Sequence, residues 1–260
     1  MSQYHEYFTF DGIKSSDYDV WISGVNTWAT PERDVEVVQI PGRNGTLTLD
    51  NNRWKNITIT YPCYMSGDFK EGFDQFKNAI LPKLGYLELS DTYHPRGYRM
   101  ARLFGGIKPV TGPYNRSASF LLSFDCWPQF YLYQYGEQFP TMILITNGSG
   151  TISDIPLVSR SKPTIMVYFQ SPLTYGTKSG SVTVGGKTIT FADMPYATGD
   201  EIYFKIDSEA RTFTHEKSGG TVVDVSQYCT GEFFEITPPT TEISYSGANY
   251  IRVLPRWWEL

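Results

Sequence analysis

Apolar and polar side chains alternate every second residue along most of the chain, a pattern typical of strands with one buried face. The alternation is clear at residues 46–49, 56–61 and 119–124. Residues 50–52, Asp-Asn-Asn, separate the first two of these segments and are turn-forming types. The pattern therefore predicts a long hairpin between residues 46 and 61.

The second half of the chain repeats this pattern in shorter segments, separated by glycine, proline and other turn formers. Strands are predicted at residues 165–170, 181–184, 188–191, 201–206 and 221–225. Gly185 and Gly186 lie between two of them and predict a tight hairpin turn. Many short strands at regular spacing favour a sandwich or a barrel.

One segment, residues 66–83, has helical periodicity instead. Its apolar positions fall at i, i+4, i+7 and i+11, which are Phe69, Phe73, Phe76 and Ile80. Ser66 or Asp68 is suited to cap the start, and Pro82 marks the end. We predict one amphipathic helix that covers one face of a sheet.

A change in composition divides the chain. Residues 128–140 are rich in aromatic residues and end in proline, and residues 146–154 are polar. The predicted division lies at about residue 135, with β-rich domains at residues 1–135 and 136–260. The expected fold class is mainly β.

Charge and composition narrow the classes of partner. The net charge is −5, which disfavours general binding to nucleic acid or an anionic membrane. No apolar stretch approaches the ~18 residues that predict a membrane span. The segment MSQYHEYFTFDG lacks the basic and apolar regions of a secretory signal. Three widely spaced cysteines predict buried, reduced thiols rather than a disulfide framework, and synthesis in a cytoplasm.

Candidate chemistry is sparse. The chain contains no recognisable metal, cofactor or phosphate-binding motif, so we expect no catalytic residues, no cofactor and no metal. Asp91 and His94 form the strongest catalytic candidate, with Cys63 or Cys126 as a nucleophile. The alternative is a turn with a local hydrogen bond, which is the interpretation we favour. Asp200 and Glu201 are neighbours on a predicted strand, so their side chains point to opposite faces.

Four segments occur in an order and spacing that resemble one family. They are F-x-F-x-G-x-x-S-S at residues 8–16, I-P-G-R-N-G at 40–45, D-x-Y-x-P-x-x-Y-R at 91–99 and F-x-C-x-P-Q at 124–129. The first half of the chain therefore resembles the distal tail proteins of siphophages that infect Gram-positive bacteria. The second half is similar to that family only in length, strand density and a P-R-W ending.

The resemblance implies an architecture and a role. The implied fold is an N-terminal β-sandwich with one α-helix and a projecting β-hairpin arm, followed by a galectin-like C-terminal β-sandwich. The last strand is expected near the domain junction. Six copies would form a ring through the N-terminal domain, with the other domain outside. The ring would be a structural, non-enzymatic hub at the distal end of the virion tail. Its implied partners are the tail tube protein above, and tail-associated lysin, tail fibre or receptor-binding proteins below.

Within this scheme, residues 34–61 are the expected arm, because they are long and polar at the tip. Inter-subunit contacts are predicted for Arg43, Arg53, Trp54 and Tyr61. An ordinary sheet hairpin is the alternative interpretation of this segment. Arg96, Arg99 and Arg102 would line the ring, pair with acidic neighbours or be solvated.

Two other functions compete with the structural role. One is a carbohydrate-binding adhesin that acts through the C-terminal β-sandwich, and the other is a cell-wall hydrolase that uses Asp91 or His94. For Trp257 and Trp258, burial in the core is favoured over stacking on a ligand.

Overall fold

The computed structural model describes residues 6–24, 27–66, 69–133, 142–153, 160–169, 176–196, 203–217 and 220–260. The chain divides into two compact units, residues 1–131 with Leu260, and residues 132–259. The predicted division at about residue 135 lies outside the described residues. The fold is mainly β, as predicted, with one α-helix among the described residues. None of the helices in those ranges is long and apolar enough to cross a bilayer.

The first unit contains one large sheet and a separate two-stranded sheet. Its strands are β1 (Phe8–Phe10), β2 (Ile13–Lys14), β3 (Val20–Ile22), β4 (Arg33–Gln39), β5 (Thr46–Trp54), β6 (Ile57–Ser66), β7 (Leu87–Asp91), β8 (Gly97–Phe104), β9 (Val110–Thr111) and β10 (Ser117–Leu132). The order is β2-β1-β7-β8-β10-β6-β3, and β9 pairs with β10. Short 3-10 helices lie at Ser15–Tyr18 and Pro113–Asn115. Strands β4 and β5 pair only with each other.

Helix α1 (Phe69–Ile80) confirms the predicted amphipathic helix, with Phe69, Phe76 and Ile80 buried. It is shorter than predicted because Ser66 is still the last residue of β6. The ring of Phe76 lies 6.4 Å from that of Phe8 and 6.1 Å from that of Phe120. The helix therefore covers one face of the sheet.

Aromatic rings fill the core between this helix and the sheet. Phe8 is completely buried, and its ring centroid lies 5.5 Å from that of Tyr61 and 5.7 Å from that of Phe124. Along β10, the side chains of residues 118, 120, 122, 124 and 126 are buried, and those between them point to the opposite face. The sheet therefore has a core face and an outer face.

The predicted hairpin at residues 46–61 is wrong in its pairing. Strand β5 pairs with β4, from Gln39 opposite Thr46 to Arg33 opposite Trp54. The Asp-Asn-Asn segment lies inside β5, where Asn52 adopts a positive φ of 55°. Its N–H donates to the Asp50 carboxylate at 2.7 Å. The turn-forming residues therefore bend a strand instead of ending it, and β6 instead joins the main sheet beside β10.

The second unit has two sheets. Its strands are β11 (Ile143–Ile145), β12 (Ser149–Ile152), β13 (Thr164–Tyr168), β14 (Gly176–Val184), β15 (Lys187–Tyr196), β16 (Tyr203–Asp207), β17 (Thr212–Lys217), β18 (Thr221–Asp224), β19 (Cys229–Gly231), β20 (Thr241–Ser246), β21 (Tyr250–Leu254) and β22 (Trp258–Glu259), with a 3-10 helix at Ser226–Tyr228. The sheet orders are β11-β21-β13-β16-β17-β18 and β12-β20-β14-β15-β19, and β22 belongs to neither of these sheets.

Buried side chains from both sheets of the second unit form one core, which is the arrangement of a sandwich. The predicted hairpin across Gly185 and Gly186 is confirmed as β14–β15. Both glycines have positive φ, 54° and 83°, as a two-residue hairpin turn requires.

Replacing Phe8 by alanine is expected to lower the free energy of unfolding by about 3–5 kcal/mol, because a buried ring is lost and the cavity cannot fully close. Urea unfolding of the full chain measures this. Leu84→Ala is the control, since Leu84 is 86% exposed and its loss is expected to change stability by less than about 0.5 kcal/mol. Equal effects of the two substitutions would contradict the aromatic core described above.

Candidate functional site

Strands β4 and β5 form an arm, defined here as residues 33–54, which stands apart from the main sheet as a separate two-stranded sheet. Residues 40–45 connect the strands, and Gly42 and Gly45 have φ values of 78° and 84°. Most of the arm's residues are exposed. An isolated two-stranded hairpin is marginally stable in water, so an exposed arm needs other support.

Ion pairs hold the base of the arm. Arg33 contacts the Asp50 carboxylate at 3.0 Å, and its guanidinium carbon lies 4.9 Å from the centre of the Trp54 ring. Arg53 pairs with Asp34 at 2.5 Å. The hydrogen bond from Arg53 holds the pKa of Asp34 below its ordinary value. These exposed pairs contribute little stability each, but together they fix the register near the base.

The strand register sorts the arm's side chains onto two faces. Glu36 is opposite Leu49, and Val38 is opposite Leu47, so these four share one face. Leu47 is 41% exposed and Leu49 is 47% exposed. We call this set the apolar arm face. Its single charged residue is Glu36.

The outer face of the main sheet carries an apolar groove of about 840 Å³. Its lining includes Trp21 of β3, Tyr64 of β6, Phe104 of β8, Val110 of β9 and Leu121 of β10. Leu121 is 61% exposed and Phe104 is 56% exposed. Among the described residues, Lys108 has the only charged side chain in the lining. Large exposed apolar patches mark interaction sites on soluble proteins.

The structure separates the four predicted contact residues. Arg43 lies exposed in the turn of the arm, and Arg53 and Trp54 lie at its base. Tyr61 was wrongly assigned to the arm, because it belongs to β6 and its side chain is 1% exposed. Burial in the core of the first unit makes it unavailable to a neighbouring subunit.

The Asp91–His94 pair is a local hydrogen-bond network that also includes Tyr61. The Tyr61 hydroxyl donates to Asp91 at 2.7 Å, and His94 Nδ1 lies 2.9 Å from the other carboxylate oxygen. Burial opposes ionisation of Asp91, but hydrogen bonds from His94 and Tyr61 outweigh it and lower its pKa. Burial and the Asp91 charge raise the pKa of Tyr61 well above its ordinary value. The network joins β6 to the turn after β7.

The three cysteines are free and buried, as predicted. Burial raises the pKa of Cys63, Cys126 and Cys229 to about 12 in each case. A thiol acts as a nucleophile in its ionised form, so neither Cys63 nor Cys126 is activated to serve Asp91 and His94. Within the described ranges, no group of three or more His, Cys, Asp or Glu residues is placed to hold a metal ion.

Two of the predicted arginines have structural partners. Arg102 Nε lies 2.8 Å from an Asp125 oxygen that also accepts from Tyr86 at 2.7 Å. Burial opposes ionisation of Asp125, but these hydrogen bonds prevail and lower its pKa. Arg99 donates to the Pro128 carbonyl at 2.8 Å and lies over the Phe130 ring. Of the three alternatives for these arginines, Arg102 therefore pairs with an acidic neighbour. The Asp200–Glu201 pair lies outside the described residues.

In the second unit, the P-R-W ending fixes the chain to its core. Arg256 makes two hydrogen bonds of 3.0 Å to the buried carboxylate of Asp207. Burial opposes ionisation of Asp207, yet backbone N–H donation from Ala210 and the Arg256 charge lower its pKa. Trp257 is buried in the core, which confirms the favoured interpretation for that residue, and Trp258 is half-buried.

Three tyrosines form a row across the second unit, but their ring faces cover one another. Tyr168 is paired with Tyr203 and Tyr250 on the neighbouring strands, at ring distances of 5.0 Å and 4.5 Å. Arg252 lies 5.1 Å from the centre of the Tyr168 ring. These cross-strand ring contacts stabilise the sheet.

Sequence comparisons found no match, either to a protein-family model or to a curated protein. Solved structures do match. The crystal structure of the SPP1 Dit protein, described as a paradigm of the hub adsorption apparatus in phages infecting Gram-positive bacteria, has a TM-score of 0.63 and 14% identity. The match covers 95% of this chain and 97% of that one. The chain has the Dit fold.

Structures of the phage P2 baseplate in its activated conformation match in the same way. The form with Ca has a TM-score of 0.58 at 12% identity, covering 96% of each chain. The form with Sr has a TM-score of 0.59 at 13% identity, covering 95% of this chain and 97% of that one. At these identities the agreement concerns the fold, over nearly the whole length of both chains.

The groove was missed at the sequence level, although one signal for it existed. Leu121 stands between the apolar residues Phe120 and Leu122, at a position where strict alternation would place a polar residue. Leu122 enters the core, so Leu121 must face outward. The other lining residues come from separate strands, and only their pairing order reveals that they meet.

Replacing Arg256 by alanine is expected to lower the free energy of unfolding of the second unit by about 3 kcal/mol at pH 7, because Asp207 is left buried without its main partner. A lowered folded pKa contributes stability above the ordinary aspartate value of about 3.9, and this is lost as pH falls further. The difference between variant and parent should therefore shrink below pH ~4.

Urea unfolding from pH 7 to pH 3 measures this difference. Arg211→Ala is a matched control, since Arg211 is exposed and has a φ of 56°, close to the 55° of Arg256. An Arg256→Ala deficit that is constant with pH would show that the ion pair is not its source.

Proposed function

We propose that this chain is a structural tail-tip protein of a bacteriophage, and that six copies form a ring joining the tail tube to the baseplate or tail-tip proteins. The observation that carries the proposal is the match to SPP1 Dit over almost the full length of both chains. The P2 baseplate structures add support, because they come from the same end of a phage particle. In this role the protein acts in the virion without catalysis.

The arm supports assembly on physical grounds. It leaves Leu47 and Leu49 in contact with water in the single chain. A contact between the arm of one copy and a different surface of the next is heterologous, and such contacts close into rings when the rotation is right. Residues 1–135 would form the ring, with Arg43, Arg53 and Trp54 near the contact.

The second unit takes the outer position in this proposal, as a galectin-like sandwich. Its core and the Asp207–Arg256 pair stabilise it as a folded unit of its own. Neighbouring tail proteins, namely the tube protein on one side and lysin, fibre or receptor-binding proteins on the other, would dock on the two faces of the ring. Synthesis would take place in the cytoplasm of the bacterial host.

The purified chain is expected to form a ring of six 29.6 kDa subunits, about 178 kDa. Light scattering after size exclusion measures the mass, and electron microscopy of the same fraction shows the rotational symmetry. A particle with another symmetry, or a monomer at every concentration up to the millimolar range, would contradict the ring.

The apolar arm face is expected to be necessary for assembly. Leu47→Asp with Leu49→Asp places two charges on that face and should leave a monomer, because burying an unpaired carboxylate is unfavourable. Thr46→Asp with Thr48→Asp places the same charges on the opposite face, since these threonines pair with Gln39 and Val37. The control pair should still assemble. Normal rings from the leucine variant would exclude this face from the subunit contact.

A further inference from the structure

We propose that the apolar groove on the outer face of the first unit is the receptor for the apolar arm face of a second copy of this chain. The proposal rests on the ring described above and adds the surface that receives the arm. It identifies Glu36 and Lys108 as a charge pair across the subunit boundary.

The arm offers a narrow apolar surface with one acid. Val38, Leu47 and Leu49 share a face with Glu36, as the register of β4 and β5 shows. Glu36 is exposed and has no ion-pair partner among the described residues. Glu36 lies beside Leu49 on this face, and a carboxylate there is unfavourable to bury unless a cation meets it.

The groove offers the complementary features. Its walls are aromatic and aliphatic, with Trp21, Tyr64, Phe104 and Leu121 among them. Of the lining residues that the structure describes, Lys108 alone is charged. Within the described part of the chain this lysine has no ion-pair partner either. One unpaired acid on the arm thus corresponds to one unpaired base in the groove.

The occupant comes from another copy because a single chain leaves both surfaces uncovered. Leu47 and Leu49 are exposed, and so are Phe104 and Leu121, in the same molecule. The arm and groove are different surfaces, so each copy can give its arm to one neighbour and receive an arm from the other. This is the head-to-tail contact that a ring needs.

Charge reversal tests the pair. Glu36→Lys and Lys108→Glu each place like charges together, so each is expected to raise the concentration for half-assembly by at least about tenfold. The double variant restores an opposite pair and should assemble within about threefold of the parent. Sedimentation or light scattering over a dilution series gives these concentrations.

A second charge reversal controls for net charge. Lys14 is exposed on β2 and has no ion-pair partner among the described residues. Lys14→Glu alone should assemble normally, and its combination with Glu36→Lys should not rescue assembly. Rescue by Lys14→Glu would show a long-range charge effect and overturn the assignment of Lys108.

The outcomes separate this inference from the proposed function. If the parent forms six-subunit rings but the double variant is not rescued, the ring stands and the groove assignment falls. A parent that never assembles overturns both. Carbodiimide coupling of mixed isotope-labelled chains gives a direct readout, since it joins a carboxylate to a nearby amine as an amide. A Glu36–Lys108 link between differently labelled chains supports the proposal, and links only within one chain contradict it.

Discussion

Strand β10 pairs with β6 from Ser117 opposite Ser66 to Cys126 opposite Ile57, and this pairing determines the two faces of the first unit. A shift of one residue would exchange the faces, so Phe120, Leu122 and Phe124 would turn outward. The aromatic core and helix α1 hold the register from one side. The residues that alternate with the core residues of β10 and β6 lie on the outer face, so Leu121 and Tyr64 lie together at the groove. The core therefore fixes the position of the candidate docking surface.

Local periodicity was enough to predict much of the fold. The spacing of the phenylalanines in α1 and the glycines between β14 and β15 are short-range signals, and both elements form as predicted. The pairing of β5 was mispredicted because Asp50 and Asn52 have turn chemistry, while the expected partner β6 pairs instead with β10, which is distant in sequence. Turn propensity describes a residue's own backbone and contains no information about which strand lies beside it.

The candidate site was predictable only in part. The length and polarity of residues 34–61 indicated an arm, but the assignment of Tyr61 to it failed, since a tyrosine at that spacing is compatible with a surface or a core. Its burial and its hydrogen bond to Asp91 show that Tyr61 is a core residue. The groove needed the strand order, because its lining comes from β3, β6, β8, β9 and β10. Sequence resemblance suggested a mainly β fold, and SPP1 Dit shares the fold of this chain at 14% identity.

Burial of the three thiols affects how readily they are oxidised. With a pKa of about 12, only about one thiol in 10⁵ is ionised at pH 7, and oxidants attack the ionised form. In the proposed role the protein would meet oxygen and peroxides outside a cell, without any glutathione to reverse the damage. Burial therefore slows the oxidation of Cys63, Cys126 and Cys229 and favours their persistence as free thiols without a reducing compartment.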